Sequence, residues 1–272
     1  MLKRLSVYAS FVRVSHSVFA LPFALAGALL AAQRRQLSDA SYSLTGDGAG
    51  PLLWILVAMV AARSAAMGFN RLADARTDAL NPRTANRELP RGAMSMREAV
   101  AFVVMASAAF VYASSRLNPL CFALSPVALA IVFWYSLAKR YTTWTQLFLG
   151  LAMAVAPVGG FDVLYACQDL EFDRTHGLRS VPVRYGVPAS LTISRVMHLL
   201  AVACLVALAV VAPLGRVYVA GVAAVAAMLV YEQSLVRADD LSQVKRAFDL
   251  NGYVGILYLL VLMVSLYGPW PH

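Results

Sequence analysis

The chain has 272 residues, 60% of them hydrophobic and 14% charged, and a formal net charge of +9. A soluble domain carries about 45–50% apolar and about 25% charged residues. This composition therefore excludes a disordered chain, a small secreted scaffold and a nucleic-acid reader, and it indicates an integral protein of the lipid bilayer.

A helix needs about 20 apolar residues to cross the hydrocarbon core. Taken in chain order, Ser15–Ala32, Pro51–Phe69, Ala99–Ser115, Leu117–Ala138, Val196–Gly215, Val217–Tyr231 and Leu250–Trp270 predict seven full spans. A further apolar run, Tyr141–Gln168, lies between the fourth and fifth of these. The expected fold is all-α, a multi-spanning membrane helix bundle of one domain covering residues 1–272. Met1–Ser15 shows no small-residue cleavage site after a short apolar core, so no removable signal is read there. Cys121, Cys167 and Cys204 are far apart in apolar segments and read as small core residues, not as a zinc or disulfide set.

Basic residues alternate in density between successive loops. Stretches around Lys3–Arg13, Arg71–Arg97, Lys139–Arg140, Arg174–Arg195 and Arg237–Arg246 hold eighteen, and the intervening stretches hold four. Lys and Arg accumulate on the cytoplasmic side, so the rich loops and the N-terminus are expected there.

Two acidic sets lie on that basic side. Asn70, Asp74 and Asp78 are spaced i, i+4, i+8 where the second span ends, and such residues stack on one helical face. Asp162, Asp169 and Asp173, at i, i+7 and i+11, are predicted to share a face as well. Paired carboxylates near clustered Arg suggest a bridged anion. All-oxygen donors suit Mg²⁺, which binds one or two carboxylates together with substrate phosphates. Arg63 stands inside an apolar span seven residues before Asn70. An intramembrane Arg normally faces a cavity or a partner, here Asp162 or an aromatic carboxylate. His16 and His198 sit alone on apolar helices and read as satisfied core residues.

The two motifs read GFNRLADARTDALNPRTANRELPRG (Gly68–Gly92) and GFDVLYACQDLEFDRTHGLRSVPVRYG (Gly160–Gly186), with WYSLAKRYT (Trp134–Thr142) between them. Together with SHSVFALPFALAGALLAA (Ser15–Ala32), they resemble the UbiA superfamily of intramembrane aromatic prenyltransferases, over nearly the whole chain. Arg71 stands where that family often has Asp, which resembles the 4-hydroxybenzoate polyprenyltransferase-like branch, some of it menaquinone-associated.

The resemblance implies a magnesium-dependent reaction in which a polyprenyl diphosphate ionises and alkylates a small aromatic acid, in quinone biosynthesis. It implies Asn70, Asp74, Asp78, Asp169 and Asp173 as magnesium–diphosphate ligands, with the four aspartates catalytic. Lys139 and Arg140 match a basic loop that contacts diphosphate or the aromatic acid. Arg83 and Arg87 are candidate anion clamps or ordinary positive-inside residues, and Tyr165 is a candidate for the aromatic pocket or for aromatic packing.

The family has nine spans. Here Tyr141–Gln168 has 28 residues, too few for two full crossings at about 20 each. It is expected to form either a re-entrant hairpin broken at Pro157–Gly160 or one continuous span. Rival readings are a dihydroxynaphthoate-type acceptor, an inactive truncated homologue, and an ion-coupled transporter.

Overall fold

The computed structural model describes residues 2–12, 21–38, 50–144, 156–212 and 214–268. In chain order these form α1 (Leu2–Phe11), α2 (Leu21–Ser38), α3 (Gly50–Leu80), α4 (Met96–Leu117), α5 (Pro119–Ala138), α6 (Ala156–Ala166), a 3₁₀ turn (Cys167–Asp169), α7 (Leu170–Thr175), α8 (Val181–Val211), α9 (Gly215–Ser234) and α10 (Val244–Tyr267). Among the described residues no strand forms, apart from an isolated bridge between Arg237 and Asp240. The chain divides into two compact units, Met1–Val18 with Ser43–Leu137, and Phe19–Tyr42 with Ala138–His272.

The N-terminal unit is organised by α3 packed along α4. α3 has 31 residues and at about 1.5 Å rise per residue is about 46 Å long. The hydrocarbon core is about 30 Å thick, so the polar last turns from Asn70 to Leu80 extend past what the apolar part needs. Close packing begins just before that point. A Cβ on Gly68 would lie 2.8 Å from Val103 Cγ2 and 3.3 Å from Phe11 Cε1. Only glycine lets α4 and α1 approach α3 this tightly.

Phe11, Val12, Met94 and Ala99 are buried together at this junction, and Phe102 meets Tyr8 and Phe11 at ring separations of 5.7 Å each. α4 starts where Ser95 and Glu98 form a reciprocal capping box. Arg4 reaches the same Glu98 at 2.9 Å and ties α1 to the start of α4.

The C-terminal unit is built on α9 against α10, and α6 against α8. Its larger core gathers Ala26 of α2 with Leu214, Tyr218, Val222, Val225 and Leu229 of the α9 region and Val254, Tyr258 and Leu262 of α10. A second group joins Leu164, Leu191, Val236, Val244 and Ala247. α8 is bent near its start. Gly186 has φ +79°, which interrupts the helical conformation, and Pro188 follows it.

Six described helices are long and apolar enough to cross a membrane: α3, α4, α5, α8, α9 and α10. Leu199, Val210, Val211 and Val230 are exposed on them, as expected of side chains that face lipid tails.

The first predicted span, Ser15–Ala32, is only partly described: residues 15–20 lie outside the described ones, and from Leu21 the helix runs on through Gln33, Arg34 and Arg35 to Ser38. The fifth and seventh predicted spans start earlier, at Val181 and Val244, because amphipathic turns precede the apolar run in each.

The predicted break at Pro157–Gly160 does not form. α6 runs unbroken from Ala156 to Ala166, through both Pro157 and Gly160. Residues 145–155, the rest of the short segment, lie outside the described ones.

Candidate active site

The first motif occupies the end of α3 and the loop after it. Asn70, Asp74 and Asp78 fall on one continuous helix, as predicted. Asn70 Nδ2 donates to Asp74 Oδ2 at 3.4 Å. Asp74 and Asp78 are buried and Asn70 half-buried. Buried carboxylates must be paired to be tolerated, and the loop supplies the partner for Asp78. Arg87 Nη1 donates to both of its oxygens, at 2.8 and 2.7 Å.

The loop is held in register by its own backbone. The Asn81 carbonyl accepts from the N–H groups of Thr84 and Ala85, the Asn81 side chain accepts from Arg83 N, and Thr84 Oγ1 donates to the Asp78 carbonyl at 3.0 Å. Arg83 is exposed at this turn.

A second contact is absent from the sequence reading. Arg71 and Glu88, both buried, approach to 3.7 Å, and Ser10 Oγ donates to Glu88 Oε1 at 2.5 Å. Arg71 is seven residues before Asp78 and Glu88 follows Arg87, so two adjacent loop residues meet two positions a pair of turns apart on α3. The sequence signal for this was the adjacency of an Arg–Glu pair facing the Arg71…Asp78 spacing. Arg63 lies half-buried further back on α3.

The second motif lies in the C-terminal unit. Asp162 is on α6, Asp169 closes the 3₁₀ turn and Asp173 is on α7. All three are half-buried. The predicted common face assumed one helix. A 3₁₀ turn advances about 120° per residue against about 100° in an α-helix, so its three residues shift Asp162 by about 60° relative to where one continuous helix would put it.

After α7 the chain turns at Gly177, φ +66°, and Leu178 N donates to the Asp173 carbonyl at 2.9 Å. The basic loop is tied to this turn. Arg179 N donates to the Lys139 carbonyl at 2.8 Å, and Arg179 Nη1 donates to the Tyr141 carbonyl at 2.7 Å. Thus Lys139 and Arg140 are fixed beside the segment that follows the second motif. Tyr165 packs on Phe248 with ring centroids 4.6 Å apart, the packing alternative of the sequence reading. His198 is a core residue, as read: Gln233 Nε2 lies 3.1 Å from its Nδ1 and donates to Ser194 Oγ at 2.8 Å. His16 lies outside the described residues.

Sequence reasoning also missed Glu232. It is fully buried on α9 and faces Asn251 of α10, and an acidic residue inside an apolar helix was the available signal. Cys121, Cys167 and Cys204 are free thiols.

Among the described residues no three His, Cys, Asp or Glu side chains come within reach of one metal ion. The donor set still fits magnesium by its chemistry. Each motif offers hard oxygen donors one helical turn apart, and Mg²⁺ needs only one or two carboxylates when phosphate oxygens and water complete its octahedron.

A polytopic membrane helix bundle with Asn/Asp stripes and adjoining basic loops is the class that fold and motifs define. The particular family follows from comparison. The UbiA prenyltransferase family pattern matches residues 20–164 and 159–262. The chain is 34% identical over 229 residues to a 4-hydroxybenzoate octaprenyltransferase of Vibrio parahaemolyticus, covering 75% of this chain and 80% of that enzyme. A UbiA homolog from Aeropyrum pernix, solved in its apo form, superposes with TM-score 0.80 at 33% identity over 92% of this chain and 98% of that one. A UbiA homolog from Archaeoglobus fulgidus bound to GPP and Mg²⁺ shares the fold, with TM-score 0.70 at 17% identity over 96% of this chain and 99% of that one. The chain belongs to the UbiA prenyltransferase family: it is an integral membrane prenyltransferase.

Proposed function

We propose that this enzyme transfers a polyprenyl group from an allylic polyprenyl diphosphate to a ring carbon of 4-hydroxybenzoate, in quinone biosynthesis. The observation that carries this reading is the 34% identity to a 4-hydroxybenzoate octaprenyltransferase across four fifths of that enzyme. Residues 1–272 act as one functional domain, because the family match runs across both units. We place the enzyme in a bacterial inner membrane with its N-terminus and basic loops in the cytoplasm, on the strength of the loop charges.

In the reaction the allylic C–O bond breaks and its electron pair leaves with the diphosphate. An aromatic carbon then bonds to the allylic carbon, and the ring proton is lost. When bound, magnesium supplies charge neutralisation of the leaving diphosphate. Asn70 and Asp74 of the first motif and Asp169 and Asp173 of the second would hold it. Lys139 and Arg140 offer cationic donors to diphosphate or to the acceptor carboxylate, from a loop whose backbone Arg179 fixes. Arg83 and Arg63 are further cations for these anions, and Asp162 and Tyr165 flank the second motif on α6. The apolar spans exclude water from the allylic cation.

The test is incorporation of radiolabelled prenyl diphosphate by purified protein in lipid nanodiscs, against 4-hydroxybenzoate and a dihydroxynaphthoate. Transfer to 4-hydroxybenzoate that vanishes on chelation, and in Asp74→Ala plus Asp169→Ala, is expected. Turnover surviving that double substitution rejects the site. Transfer to the naphthoate alone rejects the acceptor.

A further inference from the structure

Asp78 is the third acidic or amide position of the α3 stripe, and its surroundings differ from those of the first two. Both of its oxygens are taken by one guanidinium nitrogen, Arg87 Nη1, at 2.8 and 2.7 Å, the short end of charge-assisted hydrogen bonds. Asp78 is buried, and no other described cation pairs with it at salt-bridge distance. A metal ion on this carboxylate would have to displace Arg87 and leave an unpaired cation beside a second one, a doubly unfavourable exchange in a poorly solvated place.

Arg87 itself is only partly used. Its Nε is buried and, among the described residues, donates to no protein group, although a guanidinium carries five N–H donors in a rigid fork. Such an unmet donor on a pinned cation suits an oxyanion with several acceptors.

The loop around Arg87 is built to hold this orientation. The next residue, Glu88, is buried against Arg71 and receives the Ser10 hydroxyl. The Glu88 carbonyl accepts from Ala93 N and Met94 N, and the Asn81 turn closes the other end. Arg87 is therefore presented by α3 through two adjacent ionic contacts, and not by its own side-chain preference.

We propose that Asp78 is a positioning residue that aims Arg87 at the diphosphate of the prenyl donor, and that it is not a metal ligand. This rests on the prenyltransferase reading above and deepens it. Asn70 and Asp74, linked to each other one turn earlier, are then the metal-binding part of α3.

The experiment uses full-length protein in nanodiscs, with Mn²⁺ as a paramagnetic substitute for Mg²⁺ and geranyl diphosphate as the probe. Mn²⁺ binding is read by electron paramagnetic resonance, and geranyl diphosphate binding by calorimetry at saturating metal. Asp78→Asn and Arg87→Gln should each weaken geranyl diphosphate by about 10–100-fold, the scale of one lost charge-assisted contact. Both should keep Mn²⁺ affinity within about two-fold, whereas Asp74→Asn should lose it. Asp78→Asn combined with Arg87→Gln should be no weaker than Arg87→Gln alone, because the two act through one contact. Asp78→Glu, which keeps the charge, should recover most of the loss, and it carries the comparison if Asp78→Asn does not fold.

Loss of Mn²⁺ in Asp78→Asn, matching that in Asp74→Asn, overturns the assignment. So does a double variant whose loss equals the product of the single losses. Wild-type protein that binds neither Mn²⁺ nor geranyl diphosphate refutes the prenyltransferase reading as well, and that result is distinct from metal loss confined to Asp78→Asn.

Discussion

The two acidic motifs hold their side chains by different means. In the first, Asp74 and Asp78 are buried on an uninterrupted helix, and Asp78 is clasped by a loop cation. In the second, Asp169 and Asp173 are half-buried on a 3₁₀ turn and a helix of 6 residues, shaped mainly by backbone turns at Asp173 and Gly177. A buried charge costs more to leave unsatisfied than a half-exposed one. The first motif is thus set on a buried helical frame, and the second on a half-exposed turn shaped by local backbone geometry. Preorganised charge contributes most where water is excluded, which gives the contrast a functional meaning.

The comparison is most directly broken at the carboxylates. Asp74→Asn and Asp169→Asn should each lower prenyl transfer by about 10²–10³-fold, the scale of losing one preorganised electrostatic contact. Only Asp74→Asn should also lower the melting temperature; equal shifts in both would erase the difference in burial.

The next largest effect is on stability. Glu88→Ala breaks the buried Arg71–Glu88 ion pair and should cost about 3–5 kcal/mol in denaturant unfolding. Glu171→Ala, exposed in the second motif, should stay within about 0.5 kcal/mol.

Gly68→Ala forces a Cβ against Val103, and overpacking of this kind costs about 1–3 kcal/mol. Thermal melts should show the loss, and transfer rates should fall with it because Asn70 is two residues away. A comparable loss is expected at Gly186. Its φ of +79° and ψ of +168° lie in a region essentially confined to glycine, where a side chain costs about 1–3 kcal/mol, and Gly186→Ala should shift the melt of the C-terminal unit with no change in Mn²⁺ binding.

The spacing of Asn70, Asp74 and Asp78 was legible because all three sit on one helix, where a period of 3.6 carries over from sequence to space. The spacing of Asp162, Asp169 and Asp173 translates less directly, since nothing in Tyr165–Asp169 announces the 3₁₀ turn and a three-residue change of pitch shifts everything beyond it. Pro157 and Gly160 suggested a break. Yet the helix runs unbroken through both, and Gly160 packs beneath His198. The helix that holds the described part of the apolar run 15–32 carries on into Arg34 and Arg35, because helices end where their hydrogen bonds end and not where hydropathy does.

Composition and hydropathy by themselves determined a membrane-embedded helical protein, because apolar surface in such excess has no other stable solvent. The paired Asn/Asp motifs determined the family, because their length and spacing are specific. What tertiary structure decided is which charge meets which. Arg87 on Asp78 and Glu88 on Arg71 depend on a loop folding back over α3, and contacts between residues nine and seventeen positions apart carry no periodic signal in the chain.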